Sequence, residues 1–140
     1  NLIREIGQEF NMVWRPEVED FIEAHEIAGQ VSEIRTSGLK MSTEKGINKI
    51  IDIIEETKKY SDPYNIAATI LIEGINKHPF NDGNHRTMWI VAKQTLRNNG
   101  EKMLVSQIKE LTSIEEDLKS EVKLKSTDQV VSWIKTGEFE

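Results

Sequence analysis

Apolar residues recur along this chain at helical spacing over most of its length. Val18, Phe21, Ile22 and His25 follow Pro16, which sits where a first-turn proline belongs, and they predict an amphipathic helix up to about Gly29. Residues 31–46 break the pattern. There Thr36, Ser37, Gly38, Ser42, Thr43 and Gly46 are interrupted by alternating Leu39 and Met41, which predicts a loop or short hairpin. Ile47, Ile50, Ile51 and Ile54 restart a helical stripe. Asp62 and Pro63 then read as the cap and first-turn proline of a helix that Ile66, Ala67, Ile70, Leu71 and Ile75 carry to Lys77. It ends before Pro79, because a residue preceding proline is biased out of the helical region.

A very apolar helix is predicted from about His85 through Met88, Trp89, Ile90, Val91, Ala92 and Leu96, closing at Asn98, Asn99 and Gly100. Its uniform apolarity predicts a central, buried position. Two further helices are expected around residues 108–119 and 128–135, the second opened by Ser126 with Gln129 at capping-box spacing. The fold class is therefore all-α, about six helices with one short extended element. No repeat, low-complexity tract or long linker divides the chain, so residues 1–140 are read as a single domain.

Composition adds exclusions. A 140-residue chain with 37% hydrophobic residues can bury one core. A net charge of −6 argues against a basic groove that tracks nucleic acid, so a polyanionic partner has to be met locally. Without cysteine there is no disulfide or thiolate chemistry, which is compatible with a reducing compartment, and the cytoplasm is the expected location. No apolar run approaches the roughly 20 residues that span a bilayer, and residues 1–8 lack the apolar stretch of a secretory signal. The chain opens on Asn1, not Met, which leaves room for a preceding segment.

The candidate chemistry is concentrated between the two central helices, where His78, Asp82, Asn84, His85 and Arg86 surround Gly83. First-turn amides of a helix that starts near Asn84, together with the positive end of its dipole, form an anion site, and Gly83 lets backbone approach closely. Arg86 can clamp phosphate oxygens, and Asp82 offers a hard oxygen to magnesium. His78, which titrates near neutrality, can take a proton from an incoming hydroxyl. Base, metal ligand and anion cradle together suit phosphoryl transfer. Asn81-Asp82-Gly83-Asn84 alone is an ordinary turn signal. A zinc site of His78, Asp82 and His85 leaves Asn84 and Arg86 unexplained.

The segment His78-Pro79-Phe80-Asn81-Asp82-Gly83-Asn84-His85-Arg86-Thr87 resembles the signature of the Fic/Doc family, His-Pro-Phe-x-Asp/Glu-Gly-Asn-Gly/Lys-Arg, and departs from it at position 85. Ile75-Asn76-Lys77, Arg86-Thr87 and the closing helix with Trp133 look closer to the Doc-like branch. The resemblance implies a protein adenylyltransferase that moves AMP from ATP to a Ser, Thr or Tyr hydroxyl. By similarity His78 is the general base, Phe80 anchors the loop, and Asp82 binds Mg2+ or Mn2+. Gly83, Asn84, His85 and Arg86 would face the nucleotide phosphates. Ser37, Gly38, Leu39, Lys40 and Met41 lie where relatives carry a flap that aligns the target by strand addition. Implied partners are a target protein with a modifiable hydroxyl and an antitoxin or inhibitory partner, with no nucleic acid and no membrane.

Two alternatives stay open: a Doc-like kinase toxin, and a catalytically silent binding module. His85 stands where AMP-transferring relatives have Gly and Doc-type kinases have Lys, and Trp89 stands where many relatives carry a second arginine. Thr69-Ile-Leu-Ile-Glu73-Gly74 matches the inhibitory string of some relatives but falls inside the helix leading to the loop, and is read as coincidence. His25 is read as a packed core residue, outside the site together with Glu26.

Overall fold

Two helices in the middle of the chain position everything else. In a computed structural model, which describes residues 12–32 and 44–140, the elements are α1 (Val18–Ser32), α2 (Glu44–Thr57), α3 (Pro63–Lys77), α4 (Asn84–Asn98), α5 (Val105–Ile108), α6 (Leu111–Ser120), a 3-10 turn (Val122–Leu124) and α7 (Thr127–Thr136). The described residues contain no strand, so the fold is all-α.

Helix α3 starts and stops where local chemistry says it should. The Asp62 carboxylate accepts from the Tyr64 amide at 2.7 Å, Pro63 occupies the first turn, and His78 closes the helix in the left-handed region at φ 55. Ile66, Ala67, Ala68, Thr69, Ile70 and Leu71 are consecutively buried, because α3 packs against α2, α4, α7 and the 3-10 turn. Helix α4 lies along it. A Cβ at Gly74 would fall 2.2 Å from Met88 Sδ, so glycine lets the two helices approach closely there. Helix α1 covers the other side of α4 through Phe21, Ala24 and Ala28.

The predicted helices correspond to those found, with differences at their ends. Pro16 precedes α1, whose entry is tied by Glu17 N donating to Asp20 Oδ2 at 2.7 Å. The ends of the 31–46 stretch are helical, since α1 runs to Ser32 and α2 begins at Glu44. Gly46 is helical and buried. The flap positions Ser37, Gly38, Leu39, Lys40 and Met41 lie outside the described residues. Helix α4 is one-sided and not apolar all round: Met88, Val91, Ala92 and Leu96 are buried while Lys93, Arg97 and Asn98 face solvent. The helix expected around 108–119 is α6, and a short helix that was not expected, α5, precedes it. Lys109 breaks them in extended geometry, φ −111 and ψ 151, and its ammonium meets Asp117 Oδ2 at 2.7 Å. That oxygen also accepts from Trp133 Nε1 at 2.9 Å, so a tertiary knot overrides local helix propensity. The Ser126 and Gln129 capping box is present.

No helix among the described residues is long and apolar enough to cross a membrane.

Candidate active site

The α3–α4 turn is built around Asn84, which is 1% exposed. Its Oδ1 accepts from the Phe80 amide at 2.9 Å, and its Nδ2 donates to the Phe80 carbonyl at 2.9 Å and to His78 Nδ1 at 3.1 Å. One side chain therefore ties both ends of the turn to the first residue of α4. Because Nδ1 accepts this bond, the neutral His78 ring carries its proton on Nε2. His78 is exposed and sits at φ 55, ψ 60, an unusual place for a residue with a Cβ. Strained backbone of this kind concentrates at functional positions.

Below the turn, Phe80 is 2% exposed and belongs to the core. The His25 ring stacks on it, centroids 3.9 Å apart at 19°. His25 Nε2 donates to the Asp82 carbonyl at 3.0 Å, so a side chain of α1 holds the loop's backbone from beneath. Burial lowers the His25 pKa, opposed by the bond to Asp82 and the nearby Asp82 and Glu26 charges. His25 was rightly read as buried, yet it belongs to the loop's support. The contact spans 57 positions and leaves no local signal; only a histidine on an apolar helix face hinted at it.

Gly83 starts α4 from the left-handed region at φ 74, with no side chain capping the first turn. The first-turn amides are thus left for an anion, with the helix dipole behind them. The Asp82 side chain is exposed, and among the described residues no hydrogen bond or ion pair engages its carboxylate. One available carboxylate beside an anion cradle fits magnesium, which usually takes one or two protein carboxylates and fills its remaining positions with water and substrate phosphates. Among the described residues no group of three or more His, Cys, Asp or Glu side chains could hold a metal by itself, so the zinc reading gains no support.

His85 is partly buried, and its pKa is lowered by desolvation and then by His78, Lys119 and Lys123. Arg86 is already engaged: its Nη2 donates to Glu115 Oε1 on α6 in a tight ion pair. Beyond that pair, between α1, α4 and α6, lies a cavity of about 220 Å³ lined by Ile27, Trp89, Ile90, Leu111, Ile114 and Leu118. Trp89 is 8% exposed and meets Trp133 edge-on at 6.0 Å, which explains an aromatic residue there as packing. The hydroxyl of Thr87 is buried without a hydrogen-bond partner among the described residues. The inhibitory-looking string has structural uses: Thr69 Oγ1 donates to Asn65 O at 2.8 Å, Glu73 lies 3.8 Å from Lys77, and Gly74 admits Met88.

The turn thus brings His78, Asp82, Gly83, Asn84, His85 and Arg86 to one helix N-terminus. Sequence reasoning missed His25 and Glu115, both brought from distant helices. No curated protein and no solved structure matches the chain. The family model described as Fic/DOC family matches residues 15–96, more than half of the chain, and it spans α1 to α3, the α3–α4 turn and most of α4. The chain therefore belongs to the Fic/DOC family.

Proposed function

We propose that this protein is an adenylyltransferase that moves AMP from ATP to a Ser, Thr or Tyr hydroxyl of a target protein. The observation that carries this reading is Asn84, which joins His78, the turn and the N-terminus of α4 in one hydrogen-bonded unit. That unit sets a proton acceptor beside an uncapped anion site.

In this reading the α4 amides and Arg86 hold the phosphates, with Asp82 as the protein ligand to Mg2+ or Mn2+. When bound, the metal would supply positive charge to offset that developing on the phosphates. His78 takes the proton of the target hydroxyl as its oxygen bonds to the α-phosphorus, and the bond to the departing pyrophosphate breaks. For Nε2 to be the acceptor, Nδ1 must hold the ring proton, so the 3.1 Å contact with the Asn84 amide is released during turnover. Glu115 holds Nη2 of Arg86, so phosphate binding there sets one anion against another for that nitrogen.

A second reading, transfer of the γ-phosphoryl group as in the Doc-like branch, is favoured by position 85. There an imidazole raised in pKa by phosphate oxygens could stand in for lysine at mildly acidic pH. Substitution separates the two. His85→Gly is expected to increase protein-bound label from α-labelled ATP, and His85→Lys to increase it from γ-labelled ATP. An unchanged label ratio in both variants would remove the residue-level basis for preferring AMP. Label from neither position in any variant would favour a catalytically silent binding module.

A further inference from the structure

We propose that the pocket beside His78 on the α2 side receives an acidic segment of the target protein, with Lys45 and Lys49 as its charge partners; this rests on the transfer reading above. The two lysines are four residues apart on α2, hence neighbours on one helix face. Gly46 and Ile50, buried between and beside them, fix that face toward the catalytic turn. Lys45, Lys49, His78 and the turn at residues 79–81 enclose about 190 Å³ of mostly polar space.

Several lysines, Lys45 and Lys49 among them, have no ion pair among the described residues, and these two are set apart by lining one pocket with His78. Their position also separates them from the nucleotide. Arg86 lies with α6 and the apolar cavity, while the lysines line a different pocket that contains His78. Phosphates held at the α4 N-terminus leave the lysine side as the approach for the hydroxyl. Lysine is a flexible point charge without the fork that selects planar bidentate partners, so it suits Asp and Glu side chains flanking the hydroxyl in varied poses. Electrostatic complementarity of this kind sets partner choice and on-rate.

The test uses the whole chain and a short fluorescein-labelled peptide with a central Ser flanked by Glu, beside a twin flanked by Gln. Anisotropy titrations are run with and without ATP and Mg2+. The Glu peptide is expected to bind roughly tenfold or more tightly than its twin, to weaken with salt, and to bind alongside ATP. Lys45→Glu/Lys49→Glu should remove that preference while calorimetric ATP affinity and helical circular dichroism are retained. If reversal perturbs folding, Lys45→Gln/Lys49→Gln should still weaken the Glu peptide by about threefold or more. Equal binding of the two peptides, or unchanged binding by a folded double variant, overturns the proposal. So does a double variant that loses ATP affinity instead, since the lysines would then serve nucleotide phosphates. Failure of the parent reading shows separately, as absence of ATP binding by the unmodified protein.

Discussion

His78, the proposed base, occupies a backbone position that its own Cβ makes costly. Left-handed backbone costs a residue with a Cβ about 1 kcal/mol relative to glycine. His78→Ala and His78→Gly are both expected to lose transfer by about 10²-fold or more while ATP binding survives. The Gly variant should be more stable than the Ala variant by about 1 kcal/mol in urea unfolding. An Ala variant as stable as the Gly variant would mean that the turn relaxes and the strain is not real. Glu115 is the second residue with a separable effect. Its pair with Arg86 is about one-third exposed, so breaking it should change stability by less than about 1 kcal/mol. Glu115→Gln should free Arg86 and tighten ATP binding, measured by calorimetry, by about three- to tenfold. Weaker ATP binding in that variant would show that Glu115 orients Arg86 and does not compete with phosphate.

At the scale of elements, the bond between α1 and the α3–α4 turn is what local pattern does not announce. The signals that define α3 and α7 are contiguous: Asp62 with Pro63, Ser126 with Gln129. Those helices were legible to within a residue or two. The break at Lys109 and the Arg86 pair with Glu115 depend on partners brought together by folding, 8 and 29 positions away, which no short window contains. His25 is intermediate. Its burial followed from the helical stripe, while its bond to the Asp82 carbonyl did not.

That bond makes α1 a support for the loop, with a defined pH sign. Burial lowers the His25 pKa below 6.5 in the folded protein, so the unfolded chain binds more protons as pH falls through 6.5. Stability is full above that pH and decreases as pH falls toward the lowered folded value; His85, shifted in the same direction, adds to the slope. His25→Ala should cost about 3 kcal/mol, from the lost ring stack and the unpaired Asp82 carbonyl, and should flatten the decline between pH 6.5 and 5. Thermal melts across that range check both. A variant that keeps the full slope would assign the pH dependence to His85 alone.

Over the whole molecule, the helices form a scaffold with one exposed chemical turn. The acidic surface overall gives no hint of a phosphate ligand; attraction for anions is local, at an uncapped helix end, Arg86 and two lysines of α2. Motif residues were legible because they are consecutive. The residues that brace them were not, because α1 and α6 supply them from opposite ends of the family-matched segment and beyond it. Transfer of AMP through His78 is tested most directly by protein-bound label after incubation of the purified protein and a cell lysate with Mg2+ and ATP labelled separately at the α and γ phosphates. The expected result is label from the α position, chelator-sensitive and absent with His78→Ala. Label retained at full level in that variant, or label from the γ position alone, would contradict it.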